Sequence, residues 1–169
     1  VSAVGLVVSA PVQLVTAGND TTKTMLSSGL LALLQPPDQL AELRADHSLI
    51  PGAVEEILRW ANPLHYFRRT ANRDAELGGV EIAEGQKVAM IYTSANRDAA
   101  VFRDPHRFDI HRNPNPHLSF GTGIHFCLGH QLARVEGKCA LEALLKRWPR
   151  LELAVPPDSI RWRQRPGLR

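Results

Sequence analysis

The first 34 residues contain only two charged side chains, those of Asp20 and Lys23. A stretch this apolar folds either as a membrane span or as a helix that is buried on nearly all sides. Polar residues near its middle, where they are costly in lipid, argue against a span; they are Gln13, Thr16, Asn19 and Asp20. No basic segment or initiating Met precedes the run, so a signal peptide is not predicted. We therefore predict one long buried helix, with a kink or restart at Pro11.

Three further helices are predicted from proline positions and apolar spacing. Pro36 and Pro37 end the first helix and begin a second over about residues 38–46. Pro51 opens a third helix, whose apolar stripe follows helical spacing and consists of Val54, Ile57, Leu58 and Ala61. Glu56 and Arg59 lie opposite this stripe, three residues apart, where their side chains are neighbours. The last helix is predicted from Gly129 to about Arg147.

Strand-forming residues follow the third helix. A glycine-containing turn at residues 83–85 separates the runs 77–82 and 87–91, and this pattern predicts a hairpin. A short helix is predicted over residues 95–102. Prolines then predict irregular chain up to Leu118. The fold class expected from these elements is mainly α with small β-sheets.

Length and composition limit the possible functions. The 169 residues suffice for one domain. The net charge of +3 is a mild excess, with a basic strip at Arg161, Arg163, Arg165 and Arg169, and neither a nucleic acid nor a membrane is predicted as a partner. Two cysteines give no disulfide framework, which favours a reducing cytoplasm. Neither a phosphate-binding loop nor a zinc ribbon is present in the sequence.

The candidate site is the stretch FGTGIHFCLGHQLARVE, from Phe120 to Glu136. Its glycines permit positive φ and a close approach to a flat, bulky ligand. A helix beginning at Leu128 or Gly129 would place its N-terminus at Cys127 and favour the thiolate, which is a metal ligand. His125 is predicted to face an acidic edge of the same ligand. An alternative is a zinc site of His125, Cys127 and His130.

The second cysteine is interpreted differently. Cys139 falls in an apolar row of the last helix, formed by Leu128, Leu132, Val135 and Cys139. A cysteine in such a row is usually a small buried hydrophobe. We therefore predict that Cys139 belongs to the core.

A second chemical motif lies in the first helix, at Ala17-Gly18-Asn19-Asp20-Thr21-Thr22. A threonine inside a helix can return its hydroxyl to the carbonyl four residues back and open the helix locally. Such an opening makes room for a water molecule or for dioxygen.

Together these motifs resemble those of the cytochrome P-450 family. Phe-Gly-x-Gly-x-His-x-Cys-Leu-Gly followed by Leu-Ala-Arg-x-Glu resembles its heme-binding loop. Ala-Gly-x-Asp-Thr-Thr resembles its distal helix motif, and Glu56-x-x-Arg59 resembles a third family motif. The resemblance spans essentially all 169 residues, in the family's order. It implies the C-terminal part of the cytochrome P-450 fold, with residues 1–169 as a partial heme domain that lacks the N-terminal half.

The resemblance also implies site residues. Cys127 would ligate the iron of heme b (iron protoporphyrin IX), and Arg69 and His125 would bind its propionates, with Arg68 the nearest competitor of Arg69. Asp20 and Thr21 would form the pair that delivers protons to oxygen. The other implied heme contacts are Ala17, Phe120, Gly121 and Gly129, and the implied substrate pocket is lined by Leu64, His65, Tyr66 and Phe67.

The implied structural network joins Glu56 and Arg59 to a second arginine, Arg107, with Arg112 as the alternative. The implied activity is that of a monooxygenase, which uses O2 and electrons from an external donor such as a ferredoxin to oxidise a small organic substrate. The alternative is a truncated, catalytically inactive fragment of a heme domain.

Overall fold

The computed structural model describes residues 3–160, so the predicted basic strip beyond residue 160 lies outside the described residues. The elements, in chain order, are α1 (Ala3–Leu34), α2 (Pro37–Ala45), α3 (Ile50–Ala61), β1 (Tyr66–Thr70), β2 (Ala75–Leu77), β3 (Val80–Ile82), β4 (Lys87–Ile91), α4 (Tyr92–Ala95) and α5 (His130–Arg147), with single 3-10 turns at His47–Leu49, Gly123–His125 and Pro157–Ser159. The predicted fold class, mainly α with small β-sheets, is confirmed.

The first helix is continuous, as predicted, and Pro11 lies within it without a restart. Burial changes along the helix. Residues 10–19 are exposed, whereas Met25, Ala32 and Leu33 belong to the core. The predicted burial therefore holds for the C-terminal part of the helix and not for residues 10–19. No helix among the described residues is long and apolar enough to cross a membrane.

Close contacts between α1, α3 and α5 form the centre of the core. A Cβ atom at Gly29 of α1 would overlap the side chain of Ile57 on α3. A Cβ atom at Gly137 of α5 would lie 3.1 Å from Val54 and 3.2 Å from Met25. The absence of side chains at both glycines thus lets the three helices approach closely.

The face of α5 that packs on this core is not the predicted one. Gly137, Leu141 and Leu145 are buried at intervals of one helical turn. The row predicted to face inward, which includes Cys139, is exposed. The prediction of a core role for Cys139 is therefore wrong, because α5 packs through the row that contains its glycine.

The strands form two small antiparallel sheets with a different pairing from the predicted hairpin. β2 pairs with β3 across Gly78 and Gly79, which have φ values of 58° and 79°. β4 pairs with β1 instead, with Tyr66 opposite Ile91 and Thr70 opposite Lys87. The predicted hairpin across residues 83–85 is wrong because two adjacent residues with positive φ make the tighter hairpin turn.

Most of the chain between β4 and α5 is irregular. The predicted helix over residues 95–102 is wrong, since α4 begins earlier and ends at Ala95. The irregular segment predicted up to Leu118 is confirmed. One side chain of α2 fastens it: the Gln39 amide donates to the Phe108 carbonyl at 2.8 Å and accepts from the Ile110 N–H at 2.8 Å.

Candidate heme-binding site

The cysteine loop, residues 120–129, turns sharply at two glycines. Gly121 has a φ of 70° and Gly123 a φ of 68°, in the left-handed region that favours glycine. The turn brings the Cys127 N–H to the Phe120 carbonyl, to which it donates a hydrogen bond of 2.9 Å. This bond closes the backbone from Phe120 to Cys127 into one ring.

The helix that follows begins close to the predicted residue. α5 starts at His130, with Gly129 as its N-cap, and the His130 N–H donates to the Cys127 carbonyl at 3.3 Å. Cys127 itself is half-buried. The thiol therefore lies just before the N-terminus of an 18-residue helix, where a negative charge is stabilised.

Exposed apolar side chains flank the cysteine. Ile124 is 97% exposed, Leu128 is 90% exposed and Phe126 is also exposed. A Cβ atom at Gly123 would meet nothing within 4 Å, so the space above the turn is open. An open apolar surface beside a single thiol fits a flat, apolar group with an iron atom at its centre. His125 is exposed in the same loop.

The alternative zinc site is not formed. Among the described residues, no three His, Cys, Asp or Glu side chains are placed to hold one metal ion. The ring of His130, one of the three predicted zinc ligands, faces Arg134, and its Nδ1 atom lies 2.7 Å from a guanidinium nitrogen. Because arginine only donates hydrogen bonds, Nδ1 acts as the acceptor here.

The distal motif of α1 shows the predicted side-chain geometry. The Thr21 hydroxyl donates to the Ala17 carbonyl at 2.5 Å, although the chain remains α-helical there. The next residue, Thr22, donates to the Glu136 carboxylate of α5 at 3.1 Å. The contact places the Asp20–Thr21 pair on the part of α1 that crosses α5. Both Asp20 and Thr21 are partly buried.

The predicted substrate-pocket residues lie before and within β1. Leu64, His65, Tyr66 and Phe67 are all exposed, as expected for a pocket surface. The Phe67 ring lies 5.8 Å from the ring of Tyr92. The Tyr92 hydroxyl in turn lies 3.4 Å from where a Cβ atom of Gly121 would be. Tyr92 thus connects β1 to the start of the cysteine loop.

Strand geometry distinguishes the two candidate arginines of β1. Arg69 lies opposite Val88, and Arg68 lies opposite Ala89. Since successive side chains of a strand point to opposite faces, Arg69 shares its face with Phe67, and Arg68 does not. Arg69 is exposed, and its guanidinium donates to the Arg68 carbonyl at 3.0 Å.

The predicted partnership of Glu56 and Arg59 is present and completely buried. The two side chains form a forked ion pair with two N–O distances of 2.7 Å, and both are 0% exposed. The remaining N–H groups of Arg59 donate to three backbone carbonyls, those of Asn96, Pro105 and Arg107. All five donors of the guanidinium are therefore used.

The second arginine of this network is Arg112, and the prediction of Arg107 is wrong. The Arg112 Nε atom lies 3.2 Å from the Glu56 carboxylate, and its other nitrogens donate to backbone carbonyls of residues 103–107. The Arg107 side chain is exposed, and only its backbone carbonyl joins the network. The buried Glu56 carboxylate therefore binds two guanidinium groups.

A second charged cluster, which the sequence analysis missed, lies between α3 and the cysteine loop. The Glu55 carboxylate binds His117 at 3.0 Å and Arg134 at 2.6 and 3.1 Å. Burial raises the pKa of Glu55, but the hydrogen bonds from His117 and Arg134 outweigh it and lower the pKa to about 2. The sequence offered one sign of this cluster: Glu55 is a second acidic residue directly beside Glu56 on the same helix.

Comparison with known proteins identifies the family. The family model for cytochrome P450 matches residues 7–162. The chain belongs to the cytochrome P450 family. The predicted family is thus confirmed.

Three similar proteins illustrate the relationship. The steroid C26-monooxygenase of Mycobacterium tuberculosis is 47% identical over 143 residues, which are 85% of this chain and 38% of that protein. The structure of the P450 monooxygenase TamI has a TM-score of 0.90 at 43% identity and covers 94% of this chain and 39% of its own. P450BioI, in complex with an acyl carrier protein that bears hexadec-9Z-enoic acid, has a TM-score of 0.82 at 47% identity, over 89% of this chain and 38% of its own.

The chain therefore spans less than two fifths of the length of these similar proteins. The cytochrome P450 relatives include enzymes named as monooxygenases and hydroxylases.

Proposed function

We propose that this chain supplies the cysteine-ligand side and part of the distal side of a heme-thiolate monooxygenase. The observation that carries the proposal is Cys127 itself, half-buried at the start of α5 beside an open apolar surface. When bound, heme b ligated by a thiolate activates dioxygen for insertion of one oxygen atom into a substrate C–H bond, and electron donation from the thiolate favours O–O cleavage. The protein supplies the ligand, the orientation and the electrostatics.

The chain's own residues would hold this group from two sides. The Cys127 thiolate would ligate the iron, and Phe120, Gly121 and Gly129 would border the ring. Arg69 and His125 would donate charge-assisted hydrogen bonds to the propionates. Support for Arg69 over Arg68 comes from the face of β1 that Arg69 shares with Phe67.

On the distal side, Thr21 and Asp20 would handle protons. The Thr21 hydroxyl, held by the Ala17 carbonyl, would accept a proton passed on by Asp20 and deliver it to oxygen bound in the pocket. Leu64, His65, Tyr66 and Phe67 would exclude water and shape the pocket for a small organic substrate. The names of similar proteins, which mention a steroid and a fatty-acyl carrier protein, support a hydrophobic substrate.

Electrons would come from an external donor such as a ferredoxin, and the complete enzyme would act in the cytoplasm. The described residues include no nucleotide-binding loop of their own. The second candidate function is a truncated, inactive heme-domain fragment, which the short span relative to similar proteins favours.

The first prediction concerns the thiol. Replacing Cys127 by serine or alanine in the complete heme domain is expected to abolish the red-shifted Soret band of the reduced, carbon-monoxide-bound protein. The matched control is Cys139→Ala, which should retain the band. The Cys139 thiol is exposed and lies on α5, outside the cysteine loop. Loss of the band in Cys139→Ala and its retention in Cys127→Ser would refute the assignment.

The second prediction concerns the distal threonine. Thr21→Ala is expected to leave heme and substrate binding largely intact, because the hydroxyl donates to the Ala17 carbonyl of its own helix. It should raise the share of electrons lost as hydrogen peroxide, since a proton-delivering hydroxyl is removed. The measurement is the ratio of peroxide and product formed to electrons consumed. Unchanged coupling would remove the proposed role of Thr21.

A further inference from the structure

Arg134 belongs to the charged cluster beside the cysteine loop, in which Glu55 binds both Arg134 and His117. Its guanidinium is forked onto the Glu55 carboxylate of α3, with distances of 2.6 and 3.1 Å. A third nitrogen lies 2.7 Å from the ring of His130. The guanidinium carbon is 4.7 Å from the centre of the Phe120 ring. The Arg134 side chain thus contacts α3, the first residue of the cysteine loop and the first residue of α5.

The contact with Phe120 leads directly to the cysteine. The Phe120 carbonyl accepts the Cys127 N–H at 2.9 Å, so any displacement of Phe120 also moves the backbone of the cysteine. The Phe120 ring is held on its other sides by Phe126 at 6.3 Å and by His130 at 6.0 Å. The His117 ring also lies 5.9 Å from it, and Arg134 is the one arginine with its guanidinium over this ring among the described residues.

Glu55 fixes both ends of the loop with one carboxylate. Besides Arg134, which follows the loop, it binds the Nε2 atom of His117, which precedes it, at 3.0 Å. The Ser119 N–H donates to the Nδ1 atom of the same ring at 3.3 Å. Since Nδ1 accepts, the hydrogen bond to Glu55 is donated from Nε2. The two chain segments that flank the loop are therefore anchored at one point on α3.

We propose that Arg134 is a positioning residue for Cys127: forked onto Glu55 and stacked on Phe120, it fixes the cysteine loop in the position in which the thiolate can ligate iron. The proposal rests on the proposed function of Cys127, and it concerns no contact between Arg134 and heme. The role requires a planar cation, because only a guanidinium can form a fork with a carboxylate while its face lies against an aromatic ring.

The test uses two variants in the complete heme domain. Arg134→Ala removes the fork and the stacking, whereas Arg134→Lys keeps the charge and one ion pair but cannot do both. The first readout needs no heme: amide hydrogen exchange at Cys127 in the heme-free protein should speed up by on the order of tenfold in Arg134→Lys and more in Arg134→Ala, because the bond to Phe120 opens more often. The second readout is the reduced, carbon-monoxide-bound spectrum, in which part of the thiolate band should be replaced by the band of heme without a thiolate ligand.

The matched control is Lys138→Ala, one helical turn further along α5. Lys138 is exposed, and its pair with Glu142 is long, at 3.9 Å, so neither readout should change. If Arg134→Lys lowers thermal stability while exchange at Cys127 and the spectrum of the folded protein stay as in wild type, Arg134 is merely structural and the proposal fails. A wild-type protein without a thiolate band would refute the proposed function instead, and the exchange experiment would still decide the role of Arg134.

Discussion

Glu56→Ala in the complete heme domain is expected to prevent heme-loaded protein from accumulating. The substitution leaves two buried guanidinium groups, those of Arg59 and Arg112, without their counter-charge. Removing one partner of a buried ion pair costs roughly 3–5 kcal/mol, a large share of a typical stability of ~5–15 kcal/mol. The Asp109 N–H and the Asn115 amide lose the same acceptor.

The measurement is heme content per protein and the free energy of unfolding, compared with a matched exposed pair. Glu42 binds His111 at 2.6 Å at the surface, and Glu42→Ala should change the free energy of unfolding by less than about 1 kcal/mol. Arg59→Lys is expected to behave like Glu56→Ala, because lysine cannot replace a planar group whose five donors all have acceptors. Normal heme content in Glu56→Ala, together with a change of less than about 1 kcal/mol in the free energy of unfolding, would contradict a stabilising role of the buried Glu56 network.

The 169-residue chain expressed by itself is expected to aggregate or to remain molten. Its apolar surface is exposed on two helices: Val12, Leu14 and Val15 on α1, and Leu132 and Val135 on α5. Soluble monomers rarely expose apolar patches of more than a few hundred Å². The chain spans less than two fifths of the length of similar proteins. In a protein of that full length, the additional residues could pack against these exposed apolar side chains.

The measurement is the oligomeric state and the thermal transition of the chain alone and with the remaining part of the domain, in one chain or as two. We expect the addition to restore a sharp transition, stoichiometric heme and the thiolate spectrum. A monomeric 169-residue protein with a sharp transition and full thiolate heme by itself would overturn this expectation. Such a result would mean that the exposed apolar side chains of α1 and α5 do not have to be buried for the chain to fold.

Much of the site follows from residues that are close in sequence. The turn at Gly121 and Gly123, the start of α5 just after Cys127 and the bond from Thr21 to Ala17 each involve residues at most a few positions apart. Backbone angles, helix ends and bonds to the carbonyl four residues back are local properties. These features could therefore be predicted without knowledge of the fold.

The errors concern partners that are distant in sequence. Arg107 and Arg112 are both arginines of one irregular segment, and no periodicity tells which of them turns toward Glu56. β4 carries the same strand pattern whichever partner it pairs with, and it pairs with β1. The contact between Glu55 and Arg134 could not be predicted either. The two residues are 79 positions apart, and their contact depends on how α5 lies across α3.

The family and the mainly α fold could be predicted from the amino-acid sequence, because fixed spacings of glycine, histidine and cysteine specify a local backbone shape and apolar spacing specifies helices. That the Cys127 thiol holds iron stays a prediction. Only the tertiary structure decided which row of α5 faces the core and which arginine completes the buried carboxylate network. The physical reason is that helical periodicity defines the faces of a helix, whereas the partner of each face is chosen by packing. On α5, the row that contains Gly137 packs on the core, because the glycine has no side chain and Val54 and Met25 can approach closely. Cys139 lies on another row and is exposed.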